Sequence, residues 1–464
     1  MAEPEERGRP CGARPGEGVR CLGLAQWLNA EPLSQVLFVT REGRELTRQD
    51  LLAAVCGCLD DLRRRPGAHC ALCFDNGFLF CAALLASLHA GRTPVLHGSL
   101  QAQSAAAALA QGGMLLTDQE GLGSPPLRLP PPGGTGAQDG GGTVLPPLPA
   151  QAGLLLHTSG TTGERRVVAK SVAQLDAEAR LTCSLYGPRL TGLLLCSSVR
   201  PGHLYGLSFR IFMPMALSLP AAADLIGYSE QLCAWRGRPL ALISSPAFLS
   251  RLDTALPPPQ LRFVLSSAGQ LQQSAVSRLQ EWCGVQPDEI YGSTESGVVG
   301  FRRRDGGQEL WQLPPGVQLS GSDEEPVLHA EHAAAPQGLP LSDRLRRHGE
   351  GRFELLGRRD RIVKIEDRRI SLTEVRTQLL ACSGVADCEV VVVQAGRRAC
   401  LGAVVVLSQA AEVSGAGRRL ASELRTRLEA HSVPRRFVFT SAIPTDSLGK
   451  RPQALLTALF DAAT

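Results

Sequence analysis

Lysine is almost missing. Of 48 basic side chains in the 464-residue chain, only Lys170, Lys364 and Lys450 are lysines, and the rest are arginine. A chain so biased toward arginine has had every opportunity to replace lysine where positive charge alone matters. The three that remain are therefore candidates for chemistry that needs a compact ammonium on a flexible stem rather than a planar fork. Chance survival is the alternative for any one of them. Long apolar runs are also missing: the longest, around 78–88, is much too short to span a bilayer. The first 18 residues hold no apolar core of the kind a secretory signal requires. These two absences predict a cytoplasmic protein with no membrane insertion. Charge of one sign is not in excess, since the formal net charge is only +4. The arginine runs at 63–65, 302–304 and 346–347 are scattered rather than clustered on a basic face, which argues against nucleic acid as a partner. Fourteen cysteines are too sparse for a disulfide scaffold, and Cys56, Cys58, Cys81 and Cys196 lie in apolar segments as small hydrophobes. Cys70 and Cys73 make one CxxC spacing without a second pair at zinc-like distance, so the core reading is preferred.

What is present is an ordinary globular composition, 44% hydrophobic and 20% charged. The length is too great for one core and predicts two or three domains. Residues 1–20 read as a disordered tail. From 36 to 95 short apolar runs (LFVT, HCALCF, TPVLH) alternate with helical-period segments, the pattern of an α/β sheet with crossover helices. Residues 121–150 are rich in Gly and Pro and read as a flexible loop. Further strands are expected at GLLLHTS, TGLLLCSS, LALISS, RFVLSSAG and EIYGS, then short β elements between 299 and 354. The fold class expected is α/β: a large N-terminal domain of layered α/β sheets over 21–359, and a small mobile C-terminal α+β domain over 360–464.

The most informative segment is TSGTTG at 158–163, reached directly from an apolar strand. Thr158, Ser159, Thr161 and Thr162 interleave hydroxyls with Gly160 and Gly163. Such a loop can curl its backbone N–H groups around an anion while glycine permits close approach. A simple Ser/Thr/Gly turn is the competing reading, and the spacing of a Walker A loop is absent.

TSGTTG resembles the phosphate loop of the adenylate-forming superfamily, which holds the β- and γ-phosphates of ATP. Other motifs of that family follow in order over most of the chain. EIYGSTESG at 289–297 resembles its YGxTE core. The resemblance implies that Tyr291 stacks on adenine, Thr294 contacts the α-phosphate and Glu295 coordinates Mg²⁺. Asp343 would bind the ribose hydroxyls, and the SAGQL segment with Ser267 and Gly269 would lie against adenine. PGHLYGL at 201–207 resembles the element whose His203 lines the channel shared by acyl group and thiol. GRRDRIVKIEDRRISLTEV at 357–375 resembles the hinge motif. There Arg358 would approach the nucleotide, Asp360 would be the pivot, and Arg369 would serve the second half-reaction. PTDSLGK at 444–450 resembles the terminal motif whose lysine, here Lys450, reaches the carboxylate and α-phosphate during adenylation.

The function implied is an AMP-forming acid–thiol ligase using ATP and Mg²⁺. It would adenylate an aryl or fatty acid and pass the acyl group to the phosphopantetheine thiol of an acyl carrier protein or CoA. The hinge and core strings look closest to ligases encoded beside aryl-polyene pigment genes. His203, Phe209, Phe212, Ser267, Gly297 and Val298 are expected to shape the acid pocket, with a slight preference for an aromatic acid. Three departures stand out: Arg165, Arg166 and Val167 replace the usual Pro-Lys-Gly run, Asp367 replaces a hinge glycine, and Gln453 replaces a distal arginine. Lys170 or Arg166 could supply the phosphate-loop cation. Two other readings remain, a nucleotide-binding scaffold that has lost catalysis and a standalone amino-acid adenylation enzyme.

Overall fold

The computed structural model describes residues 21–97, 114–119, 145–149, 151–159, 165–304, 310–365, 368–395, 398–408, 413–445 and 451–462. For 158–159, 165–166, 360, 362, 364, 368–369, 395, 398 and 462 it describes the backbone alone. The expected tail at 1–20, nearly all of the 121–150 loop, residues 160–163, Asp367 and Lys450 lie outside the described residues.

Strand β1 (Val36–Val39) and β2 (Glu45–Thr47) lead into α1 (Arg48–Arg63), whose Thr47 cap accepts from the Asp50 N–H while Asp50 returns the bond. Then come β3 (His69–Cys73), α2 (Gly77–His89), β4 (Thr93–Leu96) and β5 (Met114–Thr117). Helix α2 is buried on all sides from Phe78 to Leu88. The run too short for a membrane is a core helix, apolar all round because protein surrounds it. Strand β6 (Gly153–Ser159) turns back as β7 (Arg165–Ser171), which continues into α3 (Val172–Leu190). Strands β3–β7 form a sheet ordered β5-β3-β4-β6-β7, parallel except for the β6–β7 hairpin.

The larger sheet has eleven strands among the described residues. Its parallel centre is β8 (Leu194–Ser197), β9 (Ala221–Ala222), β10 (Leu240–Ser244), β11 (Leu261–Ser266) and β12 (Asp288–Ser293). Every residue of β8 and β10 is buried, as expected where helices cover both faces. Helix α3 and the α1–α2 layer cover one face, and α4 (Gln273–Cys283) covers the other. Beyond β12 the strands β13 (Gly297–Arg303), β14 (Trp311–Gln312), β18 (Asp343–Arg347) and β19 (Arg352–Arg358) join as antiparallel edges. Between them β15 (Gln318–Gly321), β16 (Pro326–His329) and β17 (Leu339–Pro340) make a small sheet of their own.

After a 3₁₀ turn at Arg359–Arg361 the chain builds a smaller unit. Strands β20 (Ile362–Ile365) and β21 (Arg368–Ser371) form a hairpin. It is followed by α5 (Leu372–Leu380), β22 (Val385–Ala395), β23 (Arg398–Leu407), α6 (Ala416–Leu424), β24 (Arg436–Phe439) and α7 (Gln453–Ala462). Helices α5 and α6 pack on one face of the β22-β23-β24 sheet, and α7 on the other, each with its own apolar cluster. The layered α/β class with a large first part and a small second part is the observed one. Cys70 and Cys73 are buried in β3, and burial pushes the Cys73 thiol up to about 12. Among the described residues no helix is long and apolar enough to cross a membrane.

Candidate functional site

In parallel α/β sheets the carboxyl ends of the strands open onto a crevice where ligands bind. Here those ends carry several of the residues singled out by the sequence. Strand β6 delivers Thr158 and Ser159 at its end, running into 160–163. Strand β11 ends at Ser266, and the chain turns away through Ala268, whose φ is +70°. The Ser267 hydroxyl donates to the Ile290 carbonyl at 2.9 Å, tying this turn to β12. Gly269 is exposed just beyond.

Strand β12 carries Tyr291 at its exit. Its hydroxyl donates to Asp343 Oδ2 at 2.7 Å, joining residues 52 positions apart in sequence. The partly exposed ring sits against Trp311 and Phe353, with centroids at 5.8 and 6.0 Å. Burial, then the Asp343 charge, holds the Tyr291 phenol well above its ordinary range, with Arg358 opposing. Asp343 and Arg358 are themselves partners across β18–β19. Tyr291, Asp343 and Arg358 therefore meet at one place.

The loop after Tyr291 is held from behind. Ser293 and Ser296 bond each other's backbone and hydroxyls. The Glu295 carbonyl accepts from the Ala334 N–H at 2.8 Å, and the Glu295 side chain stays partly exposed, as does Thr294. Gly297 is obligatory on two counts. Its φ is +66°, and a Cβ there would lie 2.5 Å from His332 Cδ2 and 2.9 Å from Glu178 Oε1.

Lys170 departs from its expected role as the phosphate-loop cation. It pairs with Leu154 at the base of the β6–β7 hairpin, five residues beyond Arg165. The side chain is 1% exposed, and its ammonium donates to the His332 carbonyl at 2.5 Å. Burial lowers its pKa, while Glu178 and Glu295 act against that shift. Sequence reasoning missed the set around it. Gln174 Nε2 donates to the Ala333 carbonyl at 2.6 Å, and His332 Nε2 donates to the Val298 carbonyl at 2.9 Å. Glu178 Oε1 accepts from the Val298 N–H at 3.1 Å. Glu178 is 2% and His332 3% exposed. Gln174 and Glu178, four residues apart, share one face of α3, which was the available signal; Lys170 comes from β7 and His332 from far along the chain.

His203 caps a short helix, Leu204–Gly206, that runs on as a π-helix, Leu207–Phe212. Such π segments are frequent at functional sites. Gly206 permits this turn, since a Cβ would come within 1.9 Å of the Arg200 carbonyl. Tyr205 donates to the Leu265 carbonyl at 3.0 Å and sits 5.2 Å from the Phe209 ring. Phe209 also meets Tyr186, and Phe212 lies edge-on against Trp27 at 4.8 Å. Each is 1% exposed and belongs to the same core cluster, so the structure places both phenylalanines expected in the acid pocket among core residues.

Comparisons with known proteins bear on the family and the fold. No family model matches the chain. It is 29% identical over 301 residues to a 4-coumarate–CoA ligase of Rhodobacter capsulatus, covering 64% of this chain and 74% of that one. It is 27% identical over 307 residues to a 4-coumarate–CoA ligase of Cereibacter sphaeroides, covering 63% and 68%. Among solved structures, ATP-bound MatB from Rhodopseudomonas palustris superposes with a TM-score of 0.78 at 16% identity, covering 95% of this chain and 99% of that one. The last likeness is one of fold.

Proposed function

Because the chain belongs to the adenylate-forming superfamily and is an AMP-forming acid–thiol ligase, we propose that it activates an aromatic carboxylic acid and delivers it to a phosphopantetheine thiol. The observation that supports this best is the Tyr291–Asp343 hydrogen bond, which brings two separate nucleotide-binding motifs to one strand end. The similar ligases, named for 4-coumarate, point to an aromatic acid.

In this reading the 158–163 loop takes the β- and γ-phosphates. Tyr291 stacks on adenine beside Ser267 and Gly269, and Asp343 and Arg358 take the ribose. Glu295 presents one partly exposed carboxylate, and among the described residues no cluster of three or more His, Cys, Asp or Glu forms a protein-only metal cage. That donor set fits Mg²⁺, which is commonly bound by one or two carboxylates together with substrate phosphates. Bound there, Mg²⁺ would neutralise phosphate charge. The acid's carboxylate oxygen attacks the α-phosphorus, a new P–O bond forms, and the α–β bridging bond breaks to release pyrophosphate. Thr294 and Lys450 stabilise the charge that grows on the α-phosphoryl oxygens. The second part then turns about Asp360. With His203 and Arg369 lining the thiol path, thiolate sulfur attacks the acyl carbon and AMP departs with the bonding electrons. Holding adenylate and thiol in one cavity supplies their orientation.

Acid-dependent pyrophosphate release, measured with ATP and Mg²⁺ across benzoates, cinnamates and fatty acids, tests the reading. Release with an aromatic acid supports it, and thioester mass on CoA or on a carrier protein then names the acceptor. Release confined to fatty or amino acids would overturn the aromatic assignment, and none at all would favour the scaffold.

A further inference from the structure

The smaller part of the molecule contains a charge cluster to which no motif points. Strand β22 carries Asp387 and Glu389, and Glu389 is only 4% exposed. Three arginines converge on these two carboxylates. Arg361, next to the expected pivot Asp360, reaches Glu389 Oε1 at 2.8 Å. Arg451, the residue after Lys450, places Nη1 at 3.0 Å from Asp387 Oδ1 and 3.6 Å from Glu389 Oε2, and its Nη2 on Asp387 Oδ2. Arg376, on α5, comes within 3.5 Å of both carboxylates and donates to the Cys388 carbonyl at 2.9 Å.

Arg376 also reaches outside its own unit. Its Nη1 donates to Gln270 Oε1 at 3.0 Å, in the turn that follows β11 and contains Ser267 and Gly269. One two-carboxylate node therefore ties together the hinge, the base of the Lys450 segment and a contact with the larger part. A fork-shaped guanidinium holds two oxygens in a defined plane, so three such forks on two acids leave little rotational freedom.

We infer that Glu389 and Asp387 are positioning residues that fix Arg451, at the base of the Lys450 segment, against the hinge-flanking Arg361, so that Lys450 stands in register for adenylation before the second part turns about Asp360. This rests on the adenylating function proposed above. A lever of this kind matters in one half-reaction only. Thioester formation from ready-made acyl-adenylate does not use Lys450, whereas acid activation does. A cluster that merely stabilised the fold would affect both equally.

The test uses the full chain and its Glu389→Gln and Arg451→Met variants with the acid accepted in the pyrophosphate assay. Acid-dependent pyrophosphate release is expected to fall about tenfold in each. Thioester formation from synthetic acyl-adenylate should stay within twofold of the native chain. The double variant should be no worse than the worse single one, as for residues acting through one network. Equal losses in both half-reactions, or no loss in either, would overturn the inference. Thermal midpoints, read alongside, separate misfolding: if Glu389→Gln melts early, Arg451→Met carries the same comparison. Inactivity of the native chain with every acid would instead sink the proposed function.

Discussion

Two clusters of buried charge, one in each part of the molecule, are built differently. In the larger part, Lys170, Glu178 and His332 are almost fully enclosed and bond mainly to backbone groups, at the His332 and Val298 carbonyls and the Val298 N–H. In the smaller part, Arg361, Arg376 and Arg451 meet Asp387 and Glu389 side chain to side chain, and the arginines of the hinge and Lys450 flank keep partial exposure. The first arrangement holds one loop, the Glu295–Val298 segment, in a single shape. The second joins elements that must travel together. Enclosed charge bonded to backbone sets local geometry at a high cost if broken. Arg361 and Arg451, at the partly exposed end of the second, tolerate change and act on placement, whereas Glu389 is itself 4% exposed. Loss of the first should therefore be read in stability, and loss of the second in one step of the reaction.

The largest effect that sharpens this contrast is expected from Lys170→Met. It removes the buried ammonium whose charge acts on Glu178 and Glu295 and leaves the His332 carbonyl without its donor, a cost of about 3 kcal/mol. For a unit of this size the thermal midpoint should fall by roughly 5–10 °C. Adding Glu178→Gln, which can still accept from the Val298 N–H, should recover most of the loss. If the double variant melts no higher than the single one, the charge of Glu178 does not depend on Lys170. Lys450→Ala should do the opposite, leaving the midpoint unchanged while lowering acid-dependent pyrophosphate release by about 10²–10³-fold, the usual effect of deleting a charge-stabilising donor. A parallel loss of thioester formation from acyl-adenylate would break the division between half-reactions.

Gly297→Ala comes next. It forces a side chain into φ +66° and onto His332 and Glu178, a strain of about 1–3 kcal/mol visible in chemical denaturation. Denaturation at the native midpoint would mean the loop is not held as described. The smallest change is Tyr291→Phe, which removes one hydrogen bond to Asp343 but keeps the ring. A net hydrogen bond is worth about 1 kcal/mol, so ATP affinity should weaken about fivefold by calorimetry. An effect above a hundredfold would give the hydroxyl a direct role with the nucleotide.

Much of this was legible in the sequence because some segments carry their geometry locally. GLLLHTS is a strand from Gly153 to Ser159 as expected, and α2 follows from its apolar run and its Asn76 cap. Strand β7 was missed because RRVVAKS places a lysine at a fully buried position, where polarity signals a surface. Helix α3 was missed because it has no sharp polar face and carries Pro188 in its last turn. Tyr291 and Asp343, singled out through their motifs, are brought together by the fold. The Lys170 set and the three-arginine node were not singled out, since their members come from strands and helices far apart in the chain and only tertiary packing assembles them. Phe209 and Phe212 were expected in the acid pocket but are 1% exposed, because residue type alone does not separate a core ring from a lining one.

The central claim is that the chain activates a carboxylic acid as its adenylate. The most direct measurement is mass spectrometry of products from the chain incubated with ATP, Mg²⁺ and an aromatic acid, with no thiol present. The account predicts an acyl-AMP mass with pyrophosphate in equal amount, and its conversion to thioester and AMP when the thiol is added. ADP with an acyl phosphate, or ATP recovered intact with every acid offered, would contradict it.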